Sequence, residues 1–245
     1  MPTMCEMLAV QETTPGASFA LGDILPLAVR LEQFGIAGFG WGVAWHDATR
    51  GQVLHYRSPV ALRDDPEAAS PHLREARADA AIVHLRRPNQ LSTVGLADTQ
   101  PFLSQRHGCA FAHNGDFAHH EMLRPSYLEQ GLLQGKADSE IGFRLFEEKL
   151  DGMSGKRQAE DALRQVYAAL GGRANLLVLQ ADGTLAAYAH CEDNWMFACQ
   201  LGAWKMIVTA LYSWDHSVFD LALQQARNIQ RLEIGESLTF RNASD

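Results

Sequence analysis

Met4-Cys5-Glu6-Met7-Leu8 sets a thiol directly ahead of an apolar run, and the pattern predicts a buried strand over Cys5 to Val10 with the cysteine at its head. A thiol becomes a strong nucleophile only when a base takes its proton, and a cysteine that leads a mature chain carries its own base in its α-amine. That amine titrates at about 7.7 to 8.0, close to working pH. Removing Met1 would expose Pro2, so the chemistry needs either translation from Met4 or loss of a four-residue leader; residues 1–4 are read as a leader or a mis-assigned start. Three distant polar clusters could serve such a nucleophile: His84-Leu85-Arg86-Arg87, His113-Asn114-Gly115 and Ala137-Asp138-Ser139-Glu140.

Further strand-like segments cover Gly38 to His46 and Gln52 to Arg57, joined by the turn-forming Asp47-Ala48-Thr49-Arg50-Gly51 as a hairpin. Others are expected at Ala80 to Leu85 and Cys109 to His113. Asn175 to Gln180 pairs with Thr184 to His190 across Asp182-Gly183, a strong short-range hairpin signal. Trp204 to Ala210 and Ile229 to Phe240, broken at Gly235-Glu236, complete the strands. Gln158 to Leu170 places Leu163, Val166, Tyr167 and Leu170 on one helical stripe that Gly171-Gly172 ends, and Asp138 to Leu150 reads as a helix with Asp138 at its N-cap. Pro71 to Ala78 and Leu21 to Phe34 are also read as helices, and Val218 to Arg227 as a helix or an ordered loop. Strand groups separated by amphipathic helices predict two packed sheets with helices outside, in one domain spanning residues 1–245.

Composition narrows the function. The 245 residues carry 29 acidic and 21 basic side chains, a formal net charge of −8, which argues against a nucleic-acid backbone or an anionic membrane as partner. A small neutral or zwitterionic substrate fits better. The four cysteines, at 5, 109, 191 and 199, form neither a CxxC pair nor a metal-like spacing, so no metal and no disulfide framework is expected. With no secretory signal and no apolar run near the ~20 residues of a membrane span, the expected location is the cytoplasm.

Taken in order, Met4-Cys5-Glu6-Met7-Leu8, Gly40-Trp41-Gly42-Val43, His84-Leu85-Arg86, Asp98-Thr99-Gln100-Pro101-Phe102, His113-Asn114-Gly115 and Asp138-Ser139-Glu140 resemble the glutaminase domain of class II glutamine amidotransferases, and most of all its small stand-alone members. The resemblance implies the N-terminal nucleophile hydrolase fold, an α+β four-layer αββα sandwich of two antiparallel sheets. It implies Cys5 as nucleophile toward the γ-carboxamide of glutamine or a γ-glutamyl compound, through a thioester. It also implies Asn114 and Gly115 as oxyanion donors, Arg86 on the substrate α-carboxylate, Asp138 on its α-ammonium, and Asn89 as a further substrate contact. No cofactor is implied; an ammonia-accepting partner protein is possible in the stand-alone type. Two stretches depart from the pattern: Arg87-Pro88-Asn89-Gln90 stands where better-known members continue with an aromatic residue and Ala-Thr-His-Gly, and Asp98-Thr99-Gln100-Pro101 replaces an Asn-Thr-His-Pro of relatives.

Each cluster alone has a plainer reading. Cys5 alone would be a small buried hydrophobe, Asp138 a helix cap, Asn114-Gly115 a type I′ turn, and Arg86 half of a surface ion pair. His84 and His113 are read as structural, since a terminal amine makes an imidazole base unnecessary. His107, His113, His119 and His120 are read as polar loop rather than metal ligands. The rival function is a non-catalytic binder of glutamine or γ-glutamyl compounds, in which Met1-Pro2-Thr3-Met4 stays attached and the nitrogen of Cys5 remains an amide without usable basicity.

Overall fold

Alternation of side chains along each strand, one face and then the other, divides the interior of the chain into three layers of packing. The structure is a computed structural model that describes residues 4–35, 37–153, 155, 157–209, 223 and 225–241. One sheet contains β1 (Glu6–Glu12), β3 (Trp41–Asp47), β4 (Gln52–Ser58), β6 (Ala80–Leu85), β11 (Met196–Leu201), β12 (Trp204–Thr209) and β13 (Arg227–Arg231), in the order β13-β11-β12-β1-β6-β3-β4. The other contains β7 (Phe102–Ser104), β8 (Cys109–Asp116), β9 (Arg173–Leu179), β10 (Leu185–Tyr188) and β14 (Ser237–Phe240), in the order β14-β10-β9-β8-β7. A short pair, β2 (Phe19–Ala20) with β5 (Arg77–Ala78), lies apart from both. Pairing in the ladders of β1, β6 and β8 is antiparallel.

On β1, Leu8 and Val10 face α1 (Leu21–Gly35) and pack with Ile24, Ala28 and Leu31. Met7 and Ala9 face the second sheet. On β8 the division repeats: Phe111 packs with Ile141 and Phe146 of α4 (Asp138–Asp151) and Val166 of α5 (Gln158–Leu170), while Ala110 and Ala112 face the first sheet. Four layers result, helix, sheet, sheet and helix, as the αββα expectation requires. The layer between the sheets is lined by short side chains, among them Ala9, Ala44, Ala80, Ala110, Ala112 and Ala187, which lets the two sheets approach closely. Burying each larger member such as Ile82 or Leu177 contributes about 1.5–3 kcal/mol.

Both hairpins form where their turns predict, with Asp47 opposite Gln52 and Leu179 opposite Leu185. Three readings are corrected, and two elements are new. The helix at Pro71 stops at Arg74 (α2, Pro71–Arg74), because Arg77 and Ala78 are taken into the ladder with Phe19 and Ala20. Asn114-Gly115 is not a turn but continues β8, paired with Asn175 and Ala174. The cap of α4 is Ala137, and Asp138 is the first helical residue, its carboxylate turned to the Phe117 N–H instead. Strand β11 and the short helix α3 (Arg124–Glu129) were not expected. Residues 1–3, and most of Val218 to Arg227, lie outside the described residues.

Candidate active site

The β1–β6 register sets Glu6 opposite Leu85, so Cys5 and Arg86 are the next rung, just beyond the ladder. Cys5 has the parity of Met7 and Ala9 and turns toward the space between the sheets. Its Sγ accepts a hydrogen bond from the Arg87 N–H at 3.3 Å and lies 3.6 Å from the Arg87 carbonyl oxygen. Burial pushes the thiol up to about 11, against the opposing effects of that N–H and of the Arg86 charge. Behind it, the Asn194 amide donates to the Cys5 carbonyl at 3.1 Å and to Glu6 Oε1 at 3.0 Å. Glu6 is fully buried and also accepts from the Thr209 hydroxyl at 2.6 Å; burial holds its carboxyl well above the usual carboxylate range.

Cys5, Arg86, Asn89, Gly115 and Asp138 line one cleft of about 190 Å³. Asn114 is not part of its lining. It is completely buried beside Gly115, and both Nδ2 and Oδ1 lack a hydrogen-bond partner. A buried primary amide with neither end satisfied costs about 1–3 kcal/mol. Gly115 has φ +135°, and a Cβ there would overlap the Arg173 carbonyl, so only glycine keeps this strand seated on β9.

The backbone ahead of Asn114 is fixed by a side chain. The Gln100 amide accepts from the His113 N–H at 2.6 Å and donates to the His113 carbonyl at 3.1 Å, where β7 no longer reaches. His84 Nε2 meets the same carbonyl at 3.2 Å from the opposite sheet. Burial, aided by the Arg86 charge, pulls His84 down to about 3, so it is a neutral strut. His113 is likewise buried and pushed down by burial; its Nδ1 lies 2.9 Å from Ser139 Oγ, and its ring stacks on Phe117 at 4.0 Å. Each ring is engaged through one nitrogen, while His84 Nδ1 and His113 Nε2 are buried without a partner.

Arg86 is almost wholly buried, its guanidinium donating to Thr93 Oγ1 at 2.8 Å and more weakly to the Gly95 carbonyl at 3.4 Å. Its burial lowers its basicity, opposed by Cys5, Asp98 and Asp138. It is therefore not a surface ion pair. Asp138 Oδ2 accepts from the Phe117 N–H at 2.8 Å. The approach to Asp138 is clamped by two buried carboxylates. Glu140 accepts from the N–H groups of Gln134 (2.9 Å) and Gly135 (2.8 Å), and Asp98 Oδ1 from those of Lys136 (2.6 Å) and Ala137 (2.7 Å). Asn89 sits at the exposed rim.

Sequence reasoning did not assign Glu6, Asp98, Gln100 or Asn194. Asp98 and Gln100 were visible only as departures from a motif, and Asn194 carried no local signal because its partners are 188 and 189 residues away. The four histidines read as polar loop do not converge, and one is not in a loop: His113 is buried within β8, His107 pairs with Asp151 at 3.1 Å, and His120 with Glu121 at 2.9 Å. Among the described residues no group of three or more His, Cys, Asp or Glu is placed to hold a metal ion, and no helix is long and apolar enough to cross a membrane. All four cysteines are free.

Among solved structures, the chain is similar to the glutamine phosphoribosylpyrophosphate amidotransferase of B. subtilis, complexed with ADP and GMP, at 18% identity and a TM-score of 0.72. That match covers 97% of this chain and 47% of the other, so the chain spans about half the length of that relative. It is also similar to a glutamine aminotransferase class-II domain protein from Silicibacter pomeroyi, at 19% identity and TM-score 0.60, covering 97% and 95% of the two chains. A predicted glutamine amidotransferase from Pseudomonas aeruginosa PA01 matches at 16% identity and TM-score 0.51, covering 98% of each. At such identities the likeness carries the fold alone. No curated protein matches significantly. Residues 4–210 match the model of the class-II glutamine amidotransferases, a stretch that takes in the thiol, the cleft and both sheets except their edge strands β13 and β14. The chain belongs to the class II glutamine amidotransferase family.

Proposed function

We propose that this chain hydrolyses the γ-carboxamide of glutamine, or the γ-amide of a γ-glutamyl compound, with Cys5 as nucleophile. The observation that carries the reading is convergence: Cys5, Arg86, Gly115 and Asp138, from four separate stretches, share one cleft with the unsatisfied Asn114 amide beside it. Arg86 would hold the substrate α-carboxylate, a task that suits its planar fork of donors. Asp138 would hold the α-ammonium, and Asn89 would touch the substrate from the rim. These contacts place the amide carbon before Sγ.

The α-amine of Cys5, once freed, takes the thiol proton as sulfur bonds to the amide carbon. The carbonyl oxygen becomes an oxyanion received by Asn114 Nδ2 and the Gly115 N–H, donors that each typically supply about 2.7–4 kcal/mol of barrier lowering. The C–N bond then breaks, the ammonium returns its proton to the departing nitrogen, and ammonia or an amine leaves a γ-glutamyl thioester. Water attacks the thioester carbon, the C–S bond breaks, and glutamate is released with the thiol restored. A protein partner that consumes the ammonia would make the chain a glutaminase subunit. Without one, it acts as a free-standing γ-glutamyl amidohydrolase in the cytoplasm.

One observation favours a second reading. Met4 is buried at 2% exposure on the nitrogen side of a thiol held at about 11, and a chain that keeps Met4 would bind glutamine without splitting it. The test joins intact mass with ammonia release from glutamine, glutathione-like peptides and γ-glutamyl amines. A protein that begins at Cys5 and releases ammonia or amine supports the hydrolase. A protein that retains Met4, binds glutamine and releases nothing establishes the binder.

A further inference from the structure

Asp98 holds a place in the cleft that the proposed reaction leaves unused. It is buried to 6% exposure, lines the same cleft as Arg86 and Asp138, and acts electrostatically on Arg86. Its Oδ1 alone makes the loop clamp, taking the N–H groups of Lys136 and Ala137, the two residues that lead into Asp138. Oδ2 has no hydrogen-bond partner among the described residues. A neutral asparagine could clamp the loop through one oxygen equally well, so the clamp does not account for the charge.

The charges of the cleft also do not close on themselves. Among the described residues no ion pair joins Arg86, Asp98 or Asp138 to any partner, although Arg86 is 4% and Asp98 6% exposed, with Asp138 half-buried beside them. Buried charges are ordinarily paired. The cleft is also lined by Arg87, Lys136, Asp116 and Glu121, but among its charged side chains only Arg86 and Asp98 are buried. A ligand with one negative and one positive end meets both, its positive end on the side of Asp98 and Asp138.

Resting on the amide-hydrolase reading of this cleft, we infer that Asp98 is a second ammonium-binding carboxylate that works with Asp138. The substrates are then γ-glutamyl compounds with a free, charged α-amine, and those with an acylated or missing α-amine are excluded. Asp98 sets specificity at the head of the substrate, remote from the bond that breaks.

The test compares L-glutamine with glutaramate, which is glutamine without its α-amine, by calorimetric binding and ammonia release. The wild-type protein prefers glutamine. Asp98→Asn keeps the loop clamp and the melting temperature but lowers that preference about tenfold or more, as loss of one charge-assisted contact does; it acts on KM rather than kcat. A preference unchanged in Asp98→Asn overturns the inference. Should that variant fail to fold, Asp138→Asn decides: a residual preference of about tenfold belongs to Asp98, and its complete loss leaves Asp98 no share. Glutamine that binds with this preference but is never split, even in protein that begins at Cys5, sinks the hydrolase reading and leaves Asp98 standing.

Discussion

Asn114 and Asn175 face each other across the β8–β9 ladder, yet only Asn175 has its amide engaged. Asn175 Nδ2 donates to the Asn194 carbonyl at 2.6 Å and Oδ1 accepts from the His190 N–H at 3.1 Å, while both ends of Asn114 are unpaired. Two asparagines in one rung thus stand in opposite energetic positions. Asn114→Ala should keep or slightly raise the melting temperature and lower kcat by about 10²–10³. Asn175→Ala should instead lose about 1–3 kcal/mol of stability. Equal thermal losses in the two variants would remove the argument for Asn114.

The Cys5 thiol should titrate according to what is joined to its nitrogen. With Met4 attached, alkylation by iodoacetamide is slow at neutral pH and accelerates as pH rises toward about 11, where burial places the thiol. Protein that begins at Cys5 should be modified faster at neutral pH, because the amine next to the sulfur shares the proton. Mass spectrometry of the alkylated N-terminal peptide over a pH series measures both rates, and identical profiles would rule out the amine as proton carrier.

Gly115→Ala should be costly in stability as well as activity. The φ of +135° alone costs a residue with a side chain about 1–3 kcal/mol, and the Arg173 carbonyl occupies the space a methyl group would need. Chemical denaturation is expected to show a loss at or beyond the top of that range. A near-neutral result would mean that β8 can shift away from β9 at this rung.

Acid should destabilise the fold through its buried imidazoles. His84 is held down to about 3 by burial, so the unfolded chain binds its proton near pH 6.5 while the folded chain does not. The corresponding stability is complete above about pH 6.5 and falls as pH drops toward about 3, by roughly 1.4 kcal/mol per pH unit. His113 is pushed in the same direction and adds to the slope. Urea unfolding of His84→Phe at a series of pH values should show a shallower acid limb than the wild type. An unchanged limb would place the acid sensitivity elsewhere.

Much of this architecture could be read from local pattern. The apolar run over Cys5 to Val10, the Asp47–Gly51 and Asp182-Gly183 turns, and the apolar stripe of α5 are short-range signals, and the structure places each as expected. β11 is a short apolar stretch, Met196-Phe197-Ala198-Cys199, with no turn signal ahead of it that the sequence reading used; behind it Gly202, with φ +58°, sits in the two-residue turn that sets Leu201 opposite Trp204. Asp138 was misread as a cap because capping rules see only the sequence beside a helix, whereas the carboxylate found the N–H of Phe117, 21 residues back. The same blindness hid the clamp: Asp98 and Ala137 are 39 residues apart and meet only once both sheets are stacked. What the motifs could supply was a set of residues; how Gln100, Asn194 and Asp98 brace them depends on chain crossings that no window of sequence contains.

The alanines between the two sheets carry a consequence for the chemistry. Cys5 precedes a strand of one sheet and Gly115 lies near the end of a strand of the other, so, if they act as the proposed nucleophile and oxyanion donor, the gap between them is a thickness set by methyl groups such as those of Ala9 and Ala112. A valine at either position, far from any substrate atom, would pry the leaves apart and pull nucleophile and acceptor out of reach of each other. On the proposed mechanism, the reach of the nucleophile is gauged by this spacer layer of alanines.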